Sequence, residues 1–235
     1  MKKIYEIKTD TAAKRINFMQ AETSDSVKHV STLHVHVSKG NRKTGDLVPS
    51  VSLRPVVDCK NCKACCKLCY DLRNDCVYTN VMKTRAKNAA ILKADRARYF
   101  AEINEACKLF TAFRWHVGGD IVDYDYFVNM VQIAKNNKHC NFLAFTKNYH
   151  VVNLYLKMGH KIPDNLQIIF SGWVGLDMDN PYNLPTSHPL FVDGTTSNNE
   201  LENSYRCTGN CTECLLKKQG CWALKQGESV TFDAH

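Results

Sequence analysis

The chain has 235 residues, 44% of them hydrophobic, and a formal net charge of +8. A chain of this length can bury an ordinary core, so its 12 cysteines are not needed as the disulfides that stabilise small secreted domains. It contains no apolar run long enough for a membrane span or a signal peptide. We therefore expect a cytoplasmic protein whose clustered, reduced cysteines bind metal.

The first 47 residues form a polar N-terminal segment. Within it, residues 29–37 alternate polar and apolar side chains, which predicts a half-buried strand with His34 and His36 on its exposed face. Residues 39–46 are typical of a turn, and residues 47–57 of a strand interrupted by prolines.

From residue 81 onward the sequence predicts helices and strands in alternation. Residues 81–110 favour one or two helices with a break near Asp95. The later strands are predicted at residues 112–117, 141–145 and 166–170, with helices at 124–135 and 150–158. This alternation predicts an α/β fold with a parallel sheet and right-handed crossovers.

The remaining chain has a different character. Residues 177–203 are loop-like apart from a short apolar run at 190–192. We therefore predict a core domain at residues 48–180, followed at 181–235 by a loop and a small cysteine-rich, metal-binding extension.

Each predicted strand of the core is followed by a polar or glycine-containing motif. A cysteine loop follows the first strand, and the later strands are followed by Gly118-Gly119-Asp120, Thr146-Lys147 and Ser171. In parallel sheets and barrels, ligand sites lie at the carboxyl ends of the strands. We expect these motifs to surround one site.

Five cysteines lie between residues 59 and 69, dense enough for one loop to wrap an iron–sulfur cluster. Two ligand sets are compatible with their spacing. The first, which has the ferredoxin spacing but lacks its proline after the last cysteine, is Cys59, Cys62, Cys65 and Cys69. The second is Cys62, Cys66 and Cys69. Zinc is the alternative metal, although zinc knuckles are usually separated by a dozen or more residues.

The second set, a CxxxCxxC motif with Leu68 before its last cysteine and Tyr70 after it, resembles the radical S-adenosylmethionine (SAM) enzymes. The resemblance implies a partial (β/α) barrel in which three cysteines hold a [4Fe–4S] cluster whose fourth iron binds SAM. It also implies an external electron donor and reductive cleavage of SAM to a 5′-deoxyadenosyl radical. The sequence does not reveal the substrate, for which a peptide and a nucleic acid are candidates.

The same resemblance implies roles for the strand-end motifs. Radical SAM enzymes place a Gly-Gly-Glu motif after the second strand to contact the methionine amino group, and Gly118-Gly119-Asp120 occupies that place with a shorter carboxylate. Thr146 and Lys147 would face the ribose or carboxylate of SAM, and Ser171 the opposite wall.

The chain also resembles a small group of phage-encoded, cysteine-rich proteins that are remotely related to the radical SAM enzymes. The shared features, in chain order, are Cys69-Tyr70, Gly119-Asp120, Thr146-Lys147 and C-terminal cysteines before a final histidine, here His235. This resemblance covers roughly residue 48 to the end and implies the host cytoplasm as location. It brings no established reaction with it.

A second cysteine set near the C-terminus consists of Cys207, Cys211, Cys214 and Cys221. Four thiolates can complete the coordination of a metal, so this set predicts either a second [4Fe–4S] cluster or a structural zinc ion. The single cysteines 76, 107 and 140 have apolar neighbours and are expected in the core. Trp115 and Trp173 are expected in the core or in the wall of a pocket.

Two functions follow as hypotheses. The first is a small radical SAM enzyme. The second is a non-catalytic iron–sulfur or zinc protein whose basic surface binds nucleic acid, although the basic residues are spread along the sequence and no known nucleic-acid-binding signature occurs.

Overall fold

The computed structural model describes residues 11–41, 44–60, 65–194 and 204–234. Within them, one sheet is formed by β1 (Ser50–Val51), β2 (Ala112–Trp115), β3 (Asn141–Thr146), β4 (Leu166–Ser171), β5 (Thr186–Leu190), β6 (Tyr205–Arg206) and β7 (Ser229–Asp233). The helices are α1 (Ala12–Thr23), α2 (Tyr70–Asp75), α3 (Thr79–Ala94), α4 (Arg96–Cys107), α5 (Tyr124–Asn136), α6 (Tyr149–Lys157) and α7 (Cys211–Leu216).

The strands lie in the order β1-β2-β3-β4-β5-β7-β6, and every neighbouring pair is parallel. The predicted α/β class and parallel sheet are therefore confirmed. The sheet is open, with β1 and β6 at its edges, so it does not form a closed barrel. Because β1 to β5 follow one another in chain order, right-handed crossovers place the connecting helices on the same face.

The main core lies between that face and the helices. Alternate residues of the strands, such as Phe113 and Trp115 in β2 and Phe142 in β3, pack there against side chains of α3 to α6. Trp115 and the single cysteines 76, 107 and 140 are fully buried, as predicted. The predicted break near Asp95 is also confirmed, because Asp95 caps α4 by accepting a hydrogen bond from the Arg98 N–H.

The opposite face of the sheet is contacted by the C-terminal segment. Gln167 of β4 donates a hydrogen bond from Nε2 to the Leu224 carbonyl at 3.0 Å, and Arg114 of β2 reaches Cys211. Leu143 and Ile169, which point to this side of the sheet by the alternation of a strand, are fully buried. Both faces of the sheet therefore carry buried side chains.

One strand lies where the sequence predicted a loop. β5 pairs with β4 and β7 although it contains Pro189, a residue usually excluded from central strands. The β4 pairing ends at Ser187, and Pro189 has its missing N–H directed to that side, so no ladder hydrogen bond is lost. Three strands from residues 181–235 thereby extend the sheet of the preceding residues.

The strand predicted at residues 29–37 was wrong, although its alternation is real. Val35 and its apolar neighbours pack on the core, but the Val35 and His36 N–H groups donate to the side chains of Glu102 and Asn88. These two backbone N–H groups are therefore bonded to helix side chains instead of to the backbone of a neighbouring strand. The strand predicted at residues 47–57 shrinks to the two residues of β1. Among the described residues, no helix is both long and apolar enough to cross a membrane.

Candidate metal and cofactor site

The polar side chains predicted to surround one site lie together at the carboxyl ends of the strands. Asp120, after β2, accepts hydrogen bonds from Thr146 Oγ1 (2.6 Å) and from the Lys147 N–H (2.9 Å) at the end of β3. It also accepts one from the Ile121 N–H. Asp120 is only 6% exposed, so its carboxylate mainly joins the ends of two strands.

Lys147 extends this group to the next strand. Its Nζ donates to Ser171 Oγ at 2.8 Å and lies 5.8 Å from the centre of the Trp173 ring. The Tyr149 hydroxyl donates to the Ser171 carbonyl. The structure therefore brings Asp120, Thr146, Lys147 and Ser171 into one hydrogen-bonded group, as the sequence predicted. Their contact with SAM stays a prediction.

The two glycines before Asp120 allow close approaches inside the protein. A Cβ on Gly118 would lie 2.2 Å from Asp71 Oδ2 and 2.5 Å from Arg85 Cζ. Gly119 has a φ of +82° and would place a Cβ 2.7 Å from the Leu53 side chain. The chain itself therefore requires both glycines, whatever ligand they approach.

Arg85 and two carboxylates form a buried ion network behind Gly118. Arg85 Nη1 lies 2.8 Å from Asp71 Oδ2 and 2.6 Å from Asp75 Oδ1, so α3 is tied to α2, the helix that follows the cysteine loop. Burial raises the pKa of Asp75 to about 7, while Arg85 opposes that shift. The network fixes the position at which the cysteine loop ends.

The first cysteine segment runs through a short 3-10 turn at Cys66–Leu68 into α2. Cys59, Cys65, Cys66 and Cys69 are half-buried and form no disulfide, while Cys62 lies outside the described residues. The Leu72 N–H donates to Cys69 Sγ at 3.4 Å. Hydrogen bonds of this kind favour a thiolate and accompany sulfur ligands in iron–sulfur sites.

This segment lies close to the strand-end group. Burial raises the pKa of Tyr149, and the charges of Asp120 and Cys65 raise it further. Burial likewise raises the pKa of Cys69 to about 11, with a smaller contribution from Cys65. The close approach of Gly118, after β2, to Asp71, two residues after Cys69, places the end of the cysteine segment at the same edge of the sheet as the polar group.

The second cysteine set surrounds the start of α7. The Gly209 N–H donates to Cys207 Sγ at 3.4 Å, and the Tyr205 and Thr208 hydroxyls lie 3.6 and 3.5 Å from Cys214 Sγ. Burial raises the pKa of Cys221 to about 12, and the charges of the other three cysteines raise it further. Their donor chemistry fits a metal or a cluster, which would replace the thiol protons.

The described thiols do not converge as the ligands of one ion do. Within residues 11–41, 44–60, 65–194 and 204–234, no three Cys, His, Asp or Glu side chains are placed to hold a metal ion. The metal ligands predicted from the sequence, Cys62, Cys66 and Cys69 and the C-terminal four, therefore stay predictions.

Arg114 links the two cysteine segments and was not singled out from the sequence. Its Nη1 lies 3.8 Å from Cys211 Sγ, and its guanidinium lies 5.0 Å from the centre of the Phe145 ring. Its positive charge also lowers the pKa of Tyr70, next to the last cysteine of the loop, against the larger effect of burial. The signal in the sequence is the alternation Phe113-Arg114-Trp115, which turns a cation away from the helical core.

A family model described as Gene product 88 matches residues 21–220. The matched range includes both cysteine segments except Cys221. This match confirms the resemblance to a phage-encoded family and does not bear on the radical SAM superfamily. No curated protein and no solved structure matches the chain.

Proposed function

The chain belongs to the gene product 88 family, and we propose that its cysteine loop holds a [4Fe–4S] cluster that cleaves SAM reductively. The observation that carries the proposal is the position of this loop. Its described end, at Cys69, follows the edge strand β1 and lies beside Gly118, at the carboxyl end of β2 in a sheet whose first five parallel strands follow one another in chain order. An open sheet of this kind, with its helices on one face, is compatible with the partial (β/α) barrel of the radical SAM enzymes.

In this proposal, the protein's own groups position the cofactor. Cys62, Cys66 and Cys69 hold the cluster, and the Leu72 N–H stabilises the Cys69 sulfur. Lys147 and Ser171 offer a cation and a hydroxyl to the carboxylate or ribose of SAM. The bound cluster would supply the electron that cleaves the sulfonium, after reduction by an external donor. The C-terminal cysteines hold a second [4Fe–4S] cluster or a zinc ion.

The test uses the full-length chain, purified without oxygen and reconstituted with iron and sulfide. Dithionite and SAM are added, 5′-deoxyadenosine is measured by mass spectrometry, and iron, sulfide and zinc are assayed. We expect product from the wild-type chain and none from Cys69→Ala. Product at the same level in both, or iron-loaded protein without product, would contradict the proposal.

Single substitutions distinguish the two ligand sets of the loop. If Cys62, Cys66 and Cys69 bind the cluster, Cys66→Ala abolishes cleavage and Cys65→Ala retains it. If the ferredoxin-like set is correct, cysteines bind all four irons and no SAM is cleaved; Cys65→Ala, rather than Cys66→Ala, then lowers the iron and sulfide bound. The variants differ by one position in adjacent, equally half-buried residues, so each is the matched control for the other.

Asp120 favours a second, non-catalytic candidate. Its carboxylate already accepts hydrogen bonds from Thr146, Lys147 and Ile121, which occupy the residue expected to bind the SAM ammonium. In this alternative both metal sites are structural, and the protein binds a partner through its surface. Stoichiometric metal with no affinity for SAM in isothermal titration would favour it.

A further inference from the structure

Acidic and basic residues between the first cysteine and the end of α3 are separated by burial. Residues 59–94 contain eight basic residues and two acidic ones, Asp71 and Asp75. Both carboxylates are buried and paired with Arg85. The described basic residues that remain are exposed or half-exposed: Lys60, Lys67, Arg73, Lys83, Lys87 and Lys93. Among the described residues of this segment, the exposed and half-exposed charges are therefore all positive.

Helix α2 sorts its side chains in the same way. Asp71, Leu72 and Asp75 face inward and are buried. The exposed residues of the helix are Tyr70, Arg73 and Asn74, at spacings of three and four residues, and half-exposed Val77 follows in the turn after the helix. A cation, an amide and an aromatic ring thus share one exposed face next to the cysteine loop.

A half-open surface depression of about 310 Å³ lies at the end of this face. Arg73, Asn74, Val77 and Tyr78 line it, and the Tyr78 side chain is 61% exposed. The volume is near the lower end of small-ligand pockets, about 300–1,000 Å³, which is enough for a planar base. The lining offers a ring for stacking, an aliphatic wall, an amide for hydrogen bonds and a guanidinium for a phosphate.

We propose that this surface, formed by residues 70–78 and the exposed side of α3 and called here the α2–α3 basic face, binds single-stranded nucleic acid. Positive charge complements the phosphates, and exposed aromatic rings provide stacking for unpaired bases. An acidic protein would also complement the charge. The depression beside Tyr78 favours a nucleic acid because it adds a place for a base.

This binding is independent of the cofactor chemistry proposed above. Tyr78, Lys83 and Lys87 are neither cysteines nor members of the strand-end polar group. A variant that loses SAM cleavage should still bind nucleic acid, and a variant that loses nucleic-acid binding should still cleave SAM. Failure of one proposal is therefore distinguishable from failure of the other.

The test measures the fluorescence anisotropy of a labelled single-stranded oligonucleotide of about 20 nucleotides, between about 50 and 200 mM salt. The surface variant is Arg73→Ala/Lys83→Ala/Lys87→Ala in the full-length chain. The control, with the same change in net charge on exposed residues of another region, is Lys135→Ala/Lys138→Ala/Lys157→Ala. We expect the surface variant to lose more than about tenfold in affinity and about two units of salt slope, and the control to stay near wild type.

A second pair of variants tests stacking without changing charge. Tyr78→Ala should weaken binding by about tenfold, whereas Tyr78→Phe, which keeps the ring, should bind like wild type. Circular dichroism at the assay temperature confirms that each variant is folded.

Three results would overturn the proposal. One is no binding by the wild-type chain, and another is equal loss in the surface variant and its control. The third is equal competition by polyglutamate of the same charge together with no effect of Tyr78→Ala, which would indicate an acidic protein as the partner.

Discussion

Arg114 Nη1 lies 3.8 Å from Cys211 Sγ, so a strand residue contacts the C-terminal cysteine set across 97 positions of the chain. The guanidinium also lies over the Phe145 ring and lowers the pKa of Cys211 against the effect of burial. Arg114 thereby connects the sheet face opposite the helices to the second cysteine segment.

Arg114→Met should make Cys211 less reactive in metal-free protein. Without the guanidinium the pKa of the Cys211 thiol rises, so the thiolate fraction at pH 8 falls and alkylation slows. Loss of the cation–π contact should also lower stability by about 1 kcal/mol. Iodoacetamide labelling with peptide mass spectrometry measures the rate at each cysteine. Equal slowing at Cys59, in the other cysteine segment, would contradict a local effect of Arg114.

Gly118→Ala should destabilise the protein by about 1–3 kcal/mol, because the added Cβ collides with the buried Asp71–Arg85 pair. Gly175→Ala is the control: that glycine has a φ of +75° but open space around it, so only the backbone cost of about 1 kcal/mol remains. Urea unfolding measures both. If Gly118→Ala unfolds like wild type yet loses SAM binding, the glycine serves the ligand and not the ion network.

Thr146→Val should cost about 1.5–3 kcal/mol, since it removes the hydroxyl that donates to the buried Asp120 carboxylate. Thr146→Ser keeps that hydroxyl and should lose much less. Thermal unfolding of the two variants in the absence of ligand gives the comparison. Equal melting temperatures of the two variants would show that the hydrogen bond from Thr146 to Asp120 does not stabilise the protein.

Asp75 should make stability decrease as the pH rises. Its folded pKa of about 7 lies above the unfolded value of about 3.9, so between these values the folded state binds more protons. The free energy of unfolding therefore falls from about pH 4 to pH 7 through this group, by at least about 1 kcal/mol.

His116 has the opposite effect, because burial lowers its pKa to about 3 and its contribution grows as the pH rises to about 6.5. Asp75→Asn isolates the Asp75 term, since His116 titrates in both proteins. From pH 4.5 to pH 7.5, the change in the free energy of unfolding, measured with urea, should be more positive in the variant than in wild type by at least about 1 kcal/mol. An unchanged difference would show that Asp75 titrates normally.

The core elements were predictable because the spacing of apolar residues along the sequence depends on which side chains are buried. The period of the apolar residues indicates which strands and helices reach the core, so β2 to β4 and α3 to α6 were expected near their observed bounds. The grouping of Asp120, Thr146, Lys147 and Ser171 was also predictable, since parallel strands bring their carboxyl ends to one edge.

The sequence by itself determined the parallel α/β class, the helical core and the two cysteine-rich segments. Only the tertiary structure placed β5 in the sheet, because Pro189 is tolerated only where its neighbouring strand has ended. Only the structure separated the charges of residues 59–94, since linear order does not show that Asp71 and Asp75 turn inward to Arg85. Only the structure joined Arg114 to Cys211, because contacts between distant residues depend on how strands and segments stack, which local patterns do not specify.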